Sequence, residues 1–159
     1  MDKNLLNKYF PAEIKSEVIT LLYTVIRERP QIEELAWIIE DSNILNEIIQ
    51  RAQFDTTFYN KCMSTFCLCE LVRTSPQLYI EQIIVGHPIL IQIFSDALSL
   101  MQNDIMFDCL RALTRIISAF PSRKDIRKMM MGARLDMEVG SLVNHPCREI
   151  SELAMALTE

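Results

Sequence analysis

The sequence predicts an all-α fold built as a single domain, residues 1–159. Half of the residues are hydrophobic, and the chain contains only 3 glycines and 6 prolines. This composition argues against disorder, collagen-like sequence and turn-rich β folds. The chain is long enough to bury a large apolar core without disulfides or a structural metal. Several prolines are also spaced almost evenly, which is typical of a helical repeat.

Each proline lies where a helix could begin. Proline is favoured in the first helical turn, because its missing N–H would have no partner there. Ser75 before Pro76 is a natural N-cap. The six prolines are Pro11, Pro30, Pro76, Pro88, Pro121 and Pro146. Capping residues without a neighbouring proline are Asp41, Ser42, Asp55 and Asn103. These signals predict helices joined by short connections.

Three prolines mark an internal repeat, since 46 residues separate Pro30 from Pro76 and 45 separate Pro76 from Pro121. Positions 11, 8, 5 and 4 residues before each proline lie on one side of a helix. These residues are Ile19, Leu22, Val25 and Ile26; then Thr65, Leu68, Leu71 and Val72; then Leu110, Leu113, Ile116 and Ile117. With the exception of the threonine they are apolar, so Leu22, Leu68 and Leu113 are predicted to be buried at equivalent positions.

Each repeat is predicted to contain a long helix, a proline turn, a short helix and a third helix. The long helices are placed near 12–28, 56–74 and 104–119, the short ones near 31–40, 77–85 and 122–131, and the third ones near 43–53, 88–101 and 134–143. A last helix runs from Pro146 to about Thr158. The repeats then cover about 12–54, 55–102 and 103–144, with an incomplete fourth over 145–159.

Glycines mark the turns between short and third helices. Gly86 and Gly132 fall at these turns, where a positive φ is often needed. Gly140 lies inside a predicted helix and should weaken it.

Three stretches resemble the armadillo and HEAT superfamily. The turn segments Val85-Gly86-His87-Pro88-Ile89-Leu90 and Met131-Gly132-Ala133-Arg134-Leu135 are similar to armadillo turns, and the long-helix segment from Cys109 to Ile117 is similar to the third armadillo helix. The resemblance covers about residues 12–158 and implies a right-handed α-solenoid whose long helices line a concave, peptide-binding groove. Where importin- and catenin-type members usually carry a groove asparagine, this chain has Thr24, Glu70 and Arg115. An importin-like role is therefore not implied. The competing interpretation is an irregular helical bundle with coincidental proline spacing.

The face opposite the apolar side of each long helix is the candidate partner-binding surface. Positions 3, 6 and 10 residues before each proline centre about 180° from the apolar side. The candidate residues there are Arg27, Phe66, Glu70, Arg73, Arg111 and Arg115. Arginine forks suit carboxylate or phosphate groups. If these side chains are exposed, reversing Arg73 and Arg115 should weaken binding with little loss of stability. The alternative is an ordinary solvated face balanced by acids such as Glu17, Glu28 and Asp108.

Catalytic and metal-binding motifs are missing from the sequence. The two histidines, His87 and His145, both precede prolines at predicted turns and are interpreted as turn residues. A glycine-rich phosphate loop is absent, so neither enzyme activity nor a cofactor is predicted. On one helix Cys62, Cys67 and Cys69 would point in different directions, so they do not suggest a metal site. Cys147 could be a reactive thiol in a first helical turn, but it has no identifiable base and is interpreted as structural.

Charge and hydropathy narrow the class of partner. The formal net charge of −5 and a pI of about 5.1 argue against nucleic acid as the partner. No apolar run approaches the roughly 18 residues that cross a bilayer, and the polar start does not resemble a signal peptide. Five cysteines without framework spacing favour reduced thiols, and hence a cytoplasmic or nuclear location.

These observations predict a protein-interaction module, a scaffold or adaptor, that binds a peptide or helical segment in the groove. The basic residues favour an acidic or phosphorylated partner. The alternative is a structural or oligomerisation domain that packs through its terminal helices onto another copy or the rest of a larger protein. On the last helix, Ile150, Leu153, Ala154 and Leu157 are expected to be exposed and to need such a cover. A homo-oligomer would then form through the C-terminal helix.

Overall fold

The computed structural model describes residues 12–28, 32–40 and 42–158. These residues form ten α-helices and no β-strand, so the predicted all-α class is confirmed. Each helix begins and ends within three residues of the predicted bounds.

The helices follow one another in the predicted order of long, short and third. The long helices are α1 (Ala12–Arg27), α4 (Phe58–Thr74) and α7 (Asn103–Ala119). The short helices are α2 (Ile32–Glu40), α5 (Gln77–Gly86) and α8 (Lys124–Gly132). The third helices are α3 (Ser42–Phe54), α6 (Ile89–Leu98) and α9 (Leu135–Leu142), and the last helix is α10 (Arg148–Thr158).

The four prolines within the described residues precede helices but do not enter them. Pro76 and Pro88 stand immediately before α5 and α6, whereas Pro121 and Pro146 stand three and two residues before α8 and α10. Pro11, Pro30 and Asp41 lie outside the described residues. Proline therefore fixes the chain direction at these turns, and the first helical N–H groups belong to other residues.

The predicted N-caps Asp55, Ser75 and Asn103 are wrong, because the N-cap positions of α4, α5 and α7 are held by Thr57, Pro76 and Gln102, none of which makes a side-chain capping hydrogen bond. The Asp55 carboxylate accepts a hydrogen bond from the Thr57 N–H at 2.9 Å and from the Asn60 side-chain amide at 3.3 Å, just before and within the first turn of α4. Ser75 does not cap α5, because its hydroxyl is buried without a hydrogen-bond partner. Its N–H instead donates to the Leu71 carbonyl at the end of α4.

Helices of the same kind pack against one another. The long helix α4 lies between α1 and α7, and α10 continues this row on the other side of α7. The third helices α3, α6 and α9 form a second row, in which each also packs against the following member of the first row. The short helix α2 contacts α5. The apolar core lies among these helices.

The predicted apolar face is buried most completely in α4 and α7. Leu68 and Leu113 are fully buried, as are Leu71 and Ile116. On α1 the prediction is only partly correct: Leu22 is half-buried, and Val25 is 40% exposed. The physical reason is that α4 and α7 each have another helix of the first row on both sides, whereas among the described residues α1 packs chiefly against α4.

The glycine prediction is wrong in detail. Gly86 and Gly132 are the last residues of α5 and α8, and no glycine has a positive φ among the described residues. Near the second turn the left-handed conformation falls instead on Arg134, with φ 58°. Helix α8 ends at Gly132, two residues before Arg134, so the chain changes direction after this glycine. Gly140 does lie inside a helix, α9.

None of the described helices is by itself long and apolar enough to cross a bilayer. The pair α5 and α6 passes the same test of length and composition only when taken together, and it is bent by 91° between the two helices.

Candidate protein-interaction surface

An aromatic contact joins α1 to α4 on the predicted binding side. The rings of Tyr23 and Phe66 lie with their centroids 6.0 Å apart and their planes inclined by 47°. The Arg27 guanidinium lies over the Tyr23 ring, 6.0 Å from its centroid. Burial raises the pKa of the Tyr23 hydroxyl, and Arg27 partly offsets that rise. Phe66 is half-buried and Arg27 is exposed, so both can contact a partner.

Glu70 is buried and not part of the exposed surface. It is 4% exposed, and its Oε2 accepts from the Arg73 Nη2 at 2.8 Å and from the Arg73 Nε at 3.3 Å. A step of three residues turns a helix by about 300°, so Glu70 is rotated about 60° from Arg73. This rotation takes it toward the side of α4 on which Cys67 contacts the Ile19 carbonyl of α1. The expectation that the whole row faces solvent is therefore wrong at Glu70.

A third helix brings a carboxylate and another arginine to the same place. The Arg111 guanidinium lies 5.3 Å from the centroid of the Phe107 ring on α7. Burial raises the pKa of the half-buried Asp108 carboxyl, and nearby Glu70 raises it further. The opposing effect comes from the cations Arg111, Arg73 and Arg27. Groups from α1, α4 and α7 thus lie within electrostatic range of one another.

We call this surface the long-helix face. It consists of Tyr23 and Arg27 on α1, Phe66, Glu70 and Arg73 on α4, and Phe107, Asp108 and Arg111 on α7. The structure therefore brings together five of the six predicted residues, of which Glu70 is buried and paired with Arg73.

Arg115 has a different position. Its Nη2 donates to the Ser75 carbonyl at 3.3 Å, and the side chain is half-buried. Ser75 follows the last residue of α4, where carbonyl groups lack helical partners and a cation is favourable. Arg115 therefore stabilises the C-terminal end of α4, so its charge is not freely available to a ligand.

Three members of the long-helix face were missing from the sequence-based set: Tyr23, Phe107 and Asp108. A signal for two of them was present, because Tyr23 precedes Arg27 by four residues and Phe107 precedes Arg111 by four. Residues four apart meet on one side of a helix. An aromatic residue one turn before an arginine thus marks this face on both α1 and α7. Asp108 was identified from the sequence only as an acid that could balance the charge of this face.

The face extends onto α10. A shallow pocket of about 310 Å³ is lined by Phe107 and Arg111 together with Glu149, Glu152 and Leu153. On α10 itself, Arg148 forms an ion pair with Glu152, with 2.6 Å between Nε and Oε1. Beyond Arg111 the surface therefore becomes acidic.

The basic residues at the start of α8 are partly neutralised. Arg123 forms ion pairs with Glu81 and Asp125. Its hydrogen bonds to these carboxylates raise the pKa of Arg123, and the Arg123 bond lowers the pKa of Asp125 to about 2. Lys124 and Lys128 are exposed on the same helix.

The expectation of an exposed apolar side on the last helix is wrong. Ile150 and Ala154 are fully buried, and Leu153 and Leu157 are half-buried against the core. The reason is that α10 packs against both α7 and α9, which cover this side within the chain. The apolar side of α10 therefore gives no support to oligomerisation through this helix.

The cysteines and histidines show no site geometry. All five cysteines are free thiols; Cys67, Cys69 and Cys109 are buried, and burial raises the pKa of Cys67 to about 12. Cys147 is half-buried, and its N–H donates to His145 Nδ1 at 3.1 Å, which fits a turn histidine. Across the described stretches no three His, Cys, Asp or Glu side chains are grouped as metal ligands would be.

No protein-family model matches the chain, and no curated protein matches it either. Support for a function comes from the repeated apolar positions, the helix contacts and the long-helix face.

Proposed function

We propose that the chain is an armadillo-like solenoid that binds a peptide or helical segment of another protein over its long-helix face. The proposed architecture is three three-helix repeats and an incomplete fourth. It is supported by the two rows of helices, because in a solenoid each element packs against its equivalent in the next repeat. The free thiols favour a reducing compartment, the cytosol or nucleus.

The observation that carries this proposal is the long-helix face itself. Residues separated by more than 80 positions in the chain, from Tyr23 to Arg111, form one surface of aromatic rings and arginines. Aromatic residues and arginine are enriched at protein interfaces and among the residues that contribute most to binding. A helical row that leaves such a surface uncovered is suited to hold an elongated ligand.

The charges indicate the ligand's chemistry. Within the described residues, the guanidinium groups of Arg27 and Arg111 form no ion pair and rest on aromatic rings. They can donate to carboxylates or phosphates of a partner. Asp108 lies on α7, the same helix as Arg111, and can accept a hydrogen bond from the partner. The proposed ligand is therefore an acidic or phosphorylated segment that also carries a hydrogen-bond donor.

The packing sets the spacing of those acidic groups. Neighbouring helix axes lie about 8–10 Å apart, and Arg27 and Arg111 are two helices apart in the row, or about 16–20 Å. An extended peptide covers about 3.3 Å per residue. Two acidic residues roughly five to six positions apart would consequently reach both arginines.

The test uses peptides selected from a random display library on the wild-type protein. Their affinities are then measured by fluorescence anisotropy with the double variant Arg27→Glu/Arg111→Glu. We expect enrichment of Asp and Glu in the selected peptides. The double reversal should weaken binding at least about tenfold, or roughly 1.4 kcal/mol.

The matched control is Lys124→Glu/Lys128→Glu on α8, which changes the net charge equally. Its two lysines are exposed and lie on a short helix outside the long-helix row. Affinity should remain within about twofold of wild type at moderate salt. Equal weakening in both double variants would indicate a general charge effect and would contradict a specific site. Unchanged binding by a folded Arg27→Glu/Arg111→Glu protein would also contradict it.

A structural or oligomerisation role is the second candidate. It is favoured by the exposed apolar side chains of Val18, Leu21 and Val25 on α1 and not by α10, whose apolar side is already covered.

A further inference from the structure

An open pocket of about 280 Å³ lies where α3, α4 and α6 meet. It is lined by Phe54 at the end of α3, Phe58 at the start of α4 and Leu100 just after α6. The exposed fractions of these side chains are 68%, 50% and 41%. The buried Ile93 and Ala97 of α6 also line it. Large apolar side chains grouped around one pocket indicate an interaction site, because covering them removes apolar surface from water.

The residues next to Phe58 and Leu100 in the chain extend this apolar surface. Tyr59 is 55% exposed and Met101 is 76% exposed. Met101 also has a φ of 57°, a left-handed conformation that is unfavourable for a residue with a Cβ. Unfavourable backbone conformations of this kind are concentrated at functional sites. The turn after α6 therefore presents two large apolar side chains to solvent at the cost of an unfavourable backbone conformation.

Two opposite charges line the same pocket, Lys61 on α4 and Asp96 on α6. The Lys61 side chain is half-buried, and Asp96 is exposed. Within the stretches that the structure describes, neither residue forms an ion pair, and Asp96 Oδ1 accepts a hydrogen bond at 2.7 Å from the Gln92 side-chain amide. Covering a charge without an opposite one is unfavourable. A partner that covers the pocket must therefore bring a carboxylate to Lys61 and a cation to Asp96.

A second copy of the chain meets all of these requirements. In a two-fold symmetric interface both molecules use the same surface, so each contact between two different residues occurs twice. A pocket that combines an exposed aromatic side chain, a cation and an anion is complementary to itself in such an interface. We propose that the chain forms a two-fold dimer in which Phe54 of each copy enters the pocket of the other, and Lys61 of each copy pairs with Asp96 of the other.

This dimer uses a different part of α4 from the long-helix face. The pocket residues Phe58, Lys61 and Thr65 lie in the first half of α4, whereas Glu70 and Arg73 lie in its second half. No residue that lines the pocket belongs to the long-helix face. Loss of the dimer would accordingly leave ligand binding at the long-helix face in place, and loss of ligand binding there would leave the dimer in place.

Analytical ultracentrifugation of the full chain, at concentrations up to about 100 μM, tests the dimer. The wild type should be a reversible dimer. Lys61→Asp and Asp96→Lys should each raise the dissociation constant at least about tenfold, because each change places like charges opposite one another twice. An equimolar mixture of these two variants should form a heterodimer with close to wild-type affinity, since every facing pair is then again of opposite sign.

Phe54→Ala and Leu78→Ala form a matched pair, because the two side chains are 68% and 64% exposed and Leu78 lies on α5, outside the pocket. The first change should raise the dissociation constant at least about tenfold, and the second should leave it within about twofold. A monomeric wild type would overturn the proposal. So would a dimer that the Lys61 and Asp96 changes leave intact, or that the mixture fails to restore. A dimer that only Val18→Glu abolishes would place the contact on α1 and would also overturn it.

Discussion

Arg73 donates two hydrogen bonds to a single carboxylate oxygen of Glu70, at 2.8 Å and 3.3 Å, and that carboxylate is almost completely buried. The pair lies at the centre of the long-helix face, between the exposed arginine of α1 and the half-buried arginine of α7. Removing one member of a buried pair leaves the other charge without compensation. This relationship makes Arg73 a stability residue as well as a surface residue.

The first prediction follows from this pair. Arg73→Met should lower the free energy of unfolding by about 1–3 kcal/mol, because it leaves Glu70 charged, buried and unpaired. The double variant Glu70→Gln/Arg73→Met should recover part of that loss, since the remaining group is neutral. Urea denaturation measures the free energy of unfolding of Arg73→Met, of Glu70→Gln and of the double variant. A double variant as unstable as the sum of the two single variants would show that the pair is not coupled.

The second prediction concerns the repeat positions. Leu68→Ala and Leu113→Ala should each lower the free energy of unfolding by about 2–5 kcal/mol, because both side chains are fully buried. Leu22→Ala should lower the free energy of unfolding by less than either of these changes, since Leu22 is half-buried. The control is Leu78→Ala on α5, where the side chain is 64% exposed and the change should stay within about 0.5 kcal/mol. Equal losses at Leu22 and Leu68 would contradict the described packing.

The third prediction concerns pH. Burial raises the pKa of Asp108, so the folded protein binds this proton more readily than the unfolded chain. The contribution of Asp108 to the free energy of unfolding therefore increases as pH falls through the pKa of the folded state. At neutral pH the ionised carboxylate lowers the free energy of unfolding. Asp108→Asn should accordingly stabilise the protein at neutral pH, and this advantage should disappear at acid pH. Urea titrations of both proteins across that range provide the comparison; an advantage that grows on acidification would refute this explanation.

The fourth prediction uses the glycine inside α9. A Cβ at Gly140 would meet no atom within 4 Å, and glycine in a helix interior is less favourable than alanine by about 0.5–1 kcal/mol. Gly140→Ala should therefore raise the urea midpoint by a corresponding amount without changing the slope of the transition. A lower midpoint would show that α9 requires glycine at position 140, which would contradict the open space around it.

Much of the helix pattern could be predicted from the sequence. Proline spacing and apolar periodicity are local signals, and they located each helix within three residues. They also identified the side of the long helices on which Arg27, Phe66 and Arg111 are grouped. Local signals succeed here because a helix closes its hydrogen bonds within itself.

What could not be predicted depends on neighbours in space. Glu70 is buried because α1 lies beside α4, and Arg115 is directed to the end of α4 because Ser75 is there. Leu22 and Val25 fit the repeat in sequence, yet they are more exposed than their equivalents because α1 packs chiefly on one side. A one-dimensional repeat assigns the same environment to every copy, and the copies at the ends do not share it.

The most direct test of the proposed function is an NMR titration of the isotopically labelled protein with a peptide selected on it. The proposal predicts that the largest resonance shifts occur together on three helices, at Tyr23 and Arg27 of α1, Phe66 of α4, and Phe107 and Arg111 of α7. They should saturate with a single affinity, because one ligand crosses the row. Shifts confined to α8 and α9, or to Val18, Leu21 and Val25 on α1, would contradict a binding site on the long-helix face.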